Sequence, residues 1–270
     1  MQRADGSRKA TVRPLLRHKT VTSTTPELHA SGRIATLTLR RPRQANRLNS
    51  GDLAAIVDHI ATVNATEEVL VLQIAAEGKY FCSGYDIGGI GAARVVAFAE
   101  MVDALEAARP VTIARLQGGV YGGATDLALA CDFRIGTPAV DMFMPAARLG
   151  LHFYRSGMER YVSRLGLDTA KRLFLTAERI GAQQMKDCGF LTDLVAADEL
   201  APAAERLAAT LASMAPLALL GMKKHLNRIA RGTLDAQALN DDIARAAASA
   251  DLEEGAAAWA EKRAPVFTGR

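Results

Sequence analysis

Two glycine-bearing segments are the places where the main chain of this protein could do chemistry. One reads Phe81-Cys82-Ser83-Gly84-Tyr85-Asp86-Ile87, and the other Gly118-Gly119-Val120-Tyr121-Gly122-Gly123-Ala124-Thr125-Asp126. Each ends a predicted strand at a glycine, where the missing Cβ permits positive φ and lets a ligand come close to the backbone. The second also opens a predicted helix, whose first amides are unpaired donors in a positive field. Amides placed this way can hold an oxyanion without any charged side chain. The same residues also fit two tight turns that do no chemistry.

Other motifs are absent. Glycines 118, 119, 122 and 123 do not fit G-x-G-x-x-G, and Gly78-Lys79 is followed by Tyr80, so neither a dinucleotide fingerprint nor a P-loop is supported. Ser83 and Ser156 lack the preceding glycine of a nucleophile elbow. The five histidines show no H-x-x-x-H spacing, and Cys82, Cys131 and Cys188 form no C-x-x-C pair. No metal site or disulfide framework is expected, and a reducing compartment is the default.

The elements that must position the two segments can be read from hydrophobic pattern. Arg33 to Arg40 alternates apolar and polar residues as a half-buried strand does, and Pro42 breaks it. Ser50 and Asp52 can cap a helix running to about Asn64. Val69 to Ala75 reads as a buried strand, about 94–107 as a helix and Val111 to Leu116 as a strand. The helix Ala124 to Ala130 follows, then strands near Phe133 to Ile135 and Val140 to Phe143. This order argues for α/β layers. Beyond Ser156 the pattern is helical almost throughout, with no strand expected after Leu200.

Composition bounds the function. A chain of 270 residues, 49% hydrophobic and 23% charged, is neither disordered nor fibrous. The densest apolar stretch, Ala215 to Met222, falls well short of the ~18 residues of a membrane span. Aromatics are only 5%, a poor base-stacking platform. The net charge of +4 belongs to an N-terminal tail in which Arg3, Arg8, Lys9, Arg13, Arg17 and Lys19 face Asp5 alone. Without that tail the chain is near neutral, so nucleic acid is not an expected primary partner. Residues 1–25 read as a basic flexible extension. A cytoplasmic protein is expected, or one of the mitochondrial matrix if the tail is a presequence.

FCSGYDI and GGVYGGATDLA resemble the paired signatures of the crotonase (enoyl-CoA hydratase/isomerase) superfamily, F-C-A-G-A-D-I/L and G-x-x-x-G-G-G-x-E-L-A. RIATLTLRRPRQANRLN (33–49), ARPVTIARLQG (108–118) and DLEEGAAAWAEKRAPVFTGR (251–270) resemble further parts of that family in the same order, so the likeness covers about 30–270. It implies an α/β fold, the ClpP/crotonase spiral of ββα units over 26–199, with a C-terminal helical module (200–270) that assembles trimers or hexamers. It also implies an acyl-CoA substrate, a place in fatty acid metabolism, and no cofactor beyond the coenzyme A of the substrate.

By the same resemblance, the amides of Tyr85 and Gly123 would polarise the thioester carbonyl and hold the enolate. Arg43, Ala45, Ser83, Asp86 and Ile87 fall where the family binds adenine and pantetheine. Tyr121, Gly122, Pro145, Ala146 and Leu151 complete the substrate contacts. Basic side chains among Arg41, Arg43, Arg47 and Lys79 would meet CoA phosphates, and Lys262, Arg263 or Phe267 could reach a CoA pocket.

The chain departs from typical hydratases at both catalytic carboxylates. The first glutamate position holds Asp126, one methylene shorter, and the second holds Ala146, its register fixed by Pro145 and Gly150. Hydration needs a base for water and an acid for the α-carbon. His152 and Tyr154, in the loop after Gly150, are replacement candidates, against the competing reading that they and Tyr121 are packed loop and wall residues. Decarboxylation needs less, and G-x-V-Y-G-G-A-x-D resembles methylmalonyl-CoA decarboxylases, which also lack the second glutamate. The expectation is therefore a lyase of the hydratase/isomerase group with a rebuilt acid–base pair. The alternatives are a decarboxylase of a malonyl-type acyl-CoA and a catalytically silent CoA- or RNA-binding protein.

Overall fold

The computed structural model describes residues 24–86, 88 and 92–270, with 92–96 as backbone only. Most of the basic extension, and Ile87, lie outside the described residues. The elements in chain order are β1 (Glu27–Ser31), β2 (Ile34–Leu39), α1 (Ser50–Ala65), β3 (Val71–Ala76), α2 (Ala92–Glu106), β4 (Val111–Leu116), β5 (Val120–Tyr121) and α3 (Gly123–Ala130). They continue with β6 (Phe133–Gly136), β7 (Asp141–Phe143), α4 (Arg155–Leu165), α5 (Leu167–Thr176), β8 (Ile180–Gly181), α6 (Ala182–Asp187) and β9 (Asp193–Leu194). The C-terminal helices are α7 (Leu200–Ala212), α8 (Pro216–Ala230), α9 (Ala236–Ala247) and α10 (Ala250–Glu261).

The main sheet has the order β1-β2-β3-β4-β6-β9, parallel except for the β1–β2 hairpin. Its alternation sorts side chains between two layers. Ala35, Leu37 and Leu39 of β2 join Leu72, Ile74, Ala114 and Leu116 in a core shared with α1, α2 and α3. Val71, Ile113 and Ile135 point the other way, where Leu200, Ala204 and Ala208 of α7 cover them. A second small sheet has the order β5-β7-β8, and its Tyr121 and Phe143 line a pocket.

Three details differ from expectation. β1 was not anticipated: four of its five residues are exposed, so it shows no alternation to read. The short strands β8 and β9 interrupt the helical stretch beyond Ser156, each two residues long and below the reach of periodicity. The cap of α1 is Asn49 rather than Ser50. Its side chain accepts from the Asp52 amide at 3.0 Å, and Asp52 returns a bond to the Asn49 amide at 2.8 Å.

Beyond α7 the helices leave large apolar side chains uncovered in the single chain, among them Leu226, Ile229, Ile243, Leu252 and Trp259. Among the described residues no single helix is long and apolar enough to cross a membrane. None of the described His, Cys, Asp and Glu residues form a group that could hold a metal ion.

Candidate active site

The turn after β2 builds the first glycine segment into place. Ala45 and Asn46 adopt the left-handed conformation (φ 49° and 51°). Buried Asn46 then donates to the carbonyls of Glu77 and Tyr80, both at 2.9 Å, and accepts from the Arg41 amide at 2.8 Å. The Ser83 amide reaches the Ala45 carbonyl at 2.9 Å, and the Leu48 amide that of Gly84 at 2.9 Å. One turn therefore fixes the backbone from Glu77 to Asp86.

The two glycine segments pair with each other. The Cys82 amide donates to the Gly119 carbonyl at 3.3 Å, and the Tyr121 amide donates to the Cys82 carbonyl at 3.0 Å. Gly84 (φ +92°) then lies so close to the partner segment that a Cβ there would sit 2.7 Å from the Tyr121 carbonyl and 3.2 Å from the Gly123 amide. Gly122 (φ +56°) turns the chain into α3, whose first residue is Gly123. Thr125 locks the turn by donating to the Gly122 carbonyl at 2.6 Å, and the Tyr161 hydroxyl donates to Thr125 in turn. Neither the Tyr85 nor the Gly123 amide has a hydrogen-bond partner among the described residues. Two free donors beside a helix start, in a preorganised frame, can hold a thioester oxyanion.

Tyr85 and Gly123 both line a cavity of about 390 Å³. Ser83, Tyr121, Gly122, Pro145, Ala146, Leu151, His152 and Tyr154 also line it, so most of the expected site residues meet in one place. Its walls are largely aromatic and aliphatic, with Phe98, Phe143, Met144 and Phe153 added to the expected set. Arg43, Ala45 and Asp86 are not in that wall; they belong to the supporting turn and the strand end next to it. Arg47 reaches the rim and pairs with Asp86 at 3.6 Å.

Several expected contributors are already occupied. Arg41 grips Asp52 with both nitrogens, at 2.5 and 3.0 Å, and so braces α1 rather than facing a phosphate. Lys79 lies 5.5 Å over the Tyr80 ring. The Tyr121 hydroxyl donates to Asp141 at 2.9 Å, and the Arg179 guanidinium stacks 5.0 Å from the ring, which makes Tyr121 a pinned wall. His152 is exposed, its Nδ1 2.8 Å from the Phe153 carbonyl oxygen. Lys262, Arg263 and Phe267 do not line this cavity, and Arg263 is engaged by Glu254 at 2.6 Å. Burial pushes the Cys82 thiol up to about 12, so it is no nucleophile at neutral pH.

Asp126 stands behind the wall. It is 0% exposed, and Arg160 holds its two oxygens at 2.8 and 3.1 Å. The Tyr154 hydroxyl donates to Asp126 Oδ2. Tyr154, unlike Asp126, lines the cavity, so this hydrogen bond links the buried carboxylate to a wall residue. Burial first, then the charge and hydrogen bond of Asp126, hold the Tyr154 hydroxyl well above its ordinary value of 10, with Arg160 opposing. Ala146 is buried and lines the cavity.

Arg160 was not among the sequence candidates. It is fully buried and also meets Asp103 at 2.9 Å and Glu106 at 2.6 Å. A signal did exist: Gly157, Arg160, Tyr161 and Leu165 form the buried stripe of α4, and an arginine in such a stripe requires partners.

The chain is similar to known proteins over most of its length. The family model described as enoyl-CoA hydratase/isomerase matches residues 29–270. A probable enoyl-CoA hydratase of Mycobacterium leprae is 30% identical over 248 residues, 88% of this chain and 95% of that protein. A crotonyl-CoA hydratase of Syntrophomonas wolfei is 30% identical over 256 residues, 90% of this chain and 97% of that one. The crystal structure of an enoyl-CoA hydratase from Bacillus anthracis superposes with a TM-score of 0.85 at 26% identity, covering 91% of this chain and all of that one. The chain belongs to the enoyl-CoA hydratase/isomerase family, with the crotonase fold, and is an acyl-CoA enzyme of that family.

Proposed function

We propose that this enzyme adds water to, or shifts the double bond of, an enoyl-CoA thioester through one proton shuttle, Tyr154 backed by Asp126, in place of two carboxylates. The observation that carries the reading is Tyr154, a residue of the cavity wall whose hydroxyl donates to Asp126. In hydration, the water oxygen bonds to the β-carbon and the π pair moves onto the thioester oxygen, between the Tyr85 and Gly123 amides. The water proton passes to the Tyr154 oxygen as the tyrosine's own proton moves to Asp126. The enolate then takes a proton back from Tyr154 at the α-carbon, and Asp126 restores the hydroxyl. Isomerisation uses the same exchange between two carbons. Coenzyme A enters as part of the substrate, and copies of the chain associate through the apolar faces of α8–α10.

A second reading is decarboxylation of a malonyl-type acyl-CoA, favoured by Ala146 and by the apolar walls. Loss of CO2 leaves the same enolate, and only one proton must be delivered. Spectrophotometric assays of crotonyl-CoA hydration beside methylmalonyl-CoA and ethylmalonyl-CoA turnover separate the two. Saturable hydration is expected, slower than in two-carboxylate enzymes by on the order of 10²-fold because the shuttle acts at one position. Turnover of a malonyl thioester without hydration would establish the second reading. Thioester binding with neither activity would show a silent binder.

A further inference from the structure

The C-terminal helices reach the pocket through a chain of charges. Arg231, the C-cap residue just after α8, directs Nε (2.9 Å) and Nη2 at Oε2 of Glu106, the last residue of α2. Glu106 pairs with Arg160 at 2.6 Å, Arg160 holds Asp126, and Asp126 accepts from Tyr154. Burial alone would raise the Glu106 carboxyl, but the charges of Arg160, Arg231 and Arg164 outweigh it and hold the group below its ordinary 4.5, so the link stays ionised.

The same guanidinium has a second grip. Its Nη1 donates to the Ser156 carbonyl at 2.9 Å and to Glu159 at 3.1 Å. Ser156 is in the first turn of α4, Glu159 just beyond it, and the residue preceding the helix is Tyr154 itself. One fork therefore fixes both the start of the helix that Tyr154 caps and the ion chain behind Asp126. Arg231 does not line the catalytic cavity. Planar, multidentate donation of this kind constrains geometry as well as charge.

From this we infer that Arg231 is a positioning residue for Tyr154, through which α8 sets the geometry of proton exchange in the pocket. The inference rests on the reading of Tyr154 as the proton-exchanging group. It is tested in the full chain with Arg231→Gln and Arg231→Lys. In the glutamine variant kcat should fall about tenfold with KM held within about twofold, because a misplaced shuttle slows the reaction without weakening CoA binding. Tyrosinate absorbance, with Tyr154 assigned by subtracting Tyr154→Phe, should show Tyr154 ionising nearer 10, because its hydroxyl spends less time on Asp126. The lysine variant keeps the charge without the fork and should recover about a third of the lost rate. Arg206→Gln, which breaks an exposed pair with Glu199 at 2.8 Å, should change none of these.

A lower melting temperature with kcat per folded enzyme and the Tyr154 titration both unchanged would overturn the inference and leave Arg231 a structural residue. If Tyr154→Phe retains full kcat, the reading of Tyr154 fails, and the Tyr154 titration of Arg231→Gln still decides the positioning claim. If Arg231→Gln does not fold, Arg231→Lys decides by the same two readouts.

Discussion

Tyr154→Phe should lower kcat by about 10²- to 10⁴-fold and leave KM within about twofold, the range expected when a general acid–base group is removed. The substitution deletes one oxygen and little else. The ring remains stacked on Phe153 at 4.3 Å and edge-on to Phe98 at 6.3 Å, so the wall keeps its shape. Asp126 retains both contacts from Arg160, so its charge stays compensated and the loss of stability should be no more than that of one hydrogen bond, about 1–2 kcal/mol. A phenylalanine enzyme with the rate of the parent would show that the proton travels by another route, with His152 a further titratable residue on the cavity wall. Steady-state kinetics on whichever thioester proves productive makes the measurement.

Gly84→Ala should be nearly as damaging, for a different reason. The residue adopts φ +92°, and a Cβ would lie 2.7 Å from the Tyr121 carbonyl, a backbone atom with no rotamer to yield. Relief requires the two glycine segments to move apart, and those segments carry the Tyr85 and Gly123 amides. The expected outcome is a fall of about 10²- to 10³-fold in kcat, typical of a lost oxyanion donor. The strained backbone should also cost about 1–3 kcal/mol in urea unfolding. Gly181→Ala is the matched control, since it has nothing within 4 Å and no positive φ. Equal behaviour of the two alanine variants would mean that the glycine pair is a turn and not an oxyanion frame.

The contrast between these residues shows what a sequence of this kind reveals. β2 and α1 are readable because each buries one face or one stripe, a periodicity written locally, and β4 because it is a short apolar run buried on both faces. The glycine segments were legible as pliable backbone, and family resemblance gave them a role. The state of Asp126 was not legible. Its partners Tyr154 and Arg160 lie 28 and 34 residues away, brought up only when α4 packs on α3. Family resemblance suggests a short carboxylate in the first catalytic position; packing buries it and pairs it with Arg160 and with Tyr154, a residue of the cavity wall. Arg41 shows the same limit, since nothing local distinguished a helix brace on Asp52 from a phosphate contact.

Proton exchange in the pocket depends, in this proposal, on the coupling of Tyr154 to Asp126, and ultraviolet titration of tyrosinate reads that coupling without knowledge of the substrate. In the parent protein Tyr154 should remain protonated well past 10, because burial and the Asp126 charge both favour the neutral form. In Asp126→Asn the charge is gone while Arg160 still lowers the value, so the Tyr154 ionisation should move down toward 10. A Tyr154 titration identical in the parent and in Asp126→Asn would contradict the proposal that this carboxylate is the acceptor behind the hydroxyl.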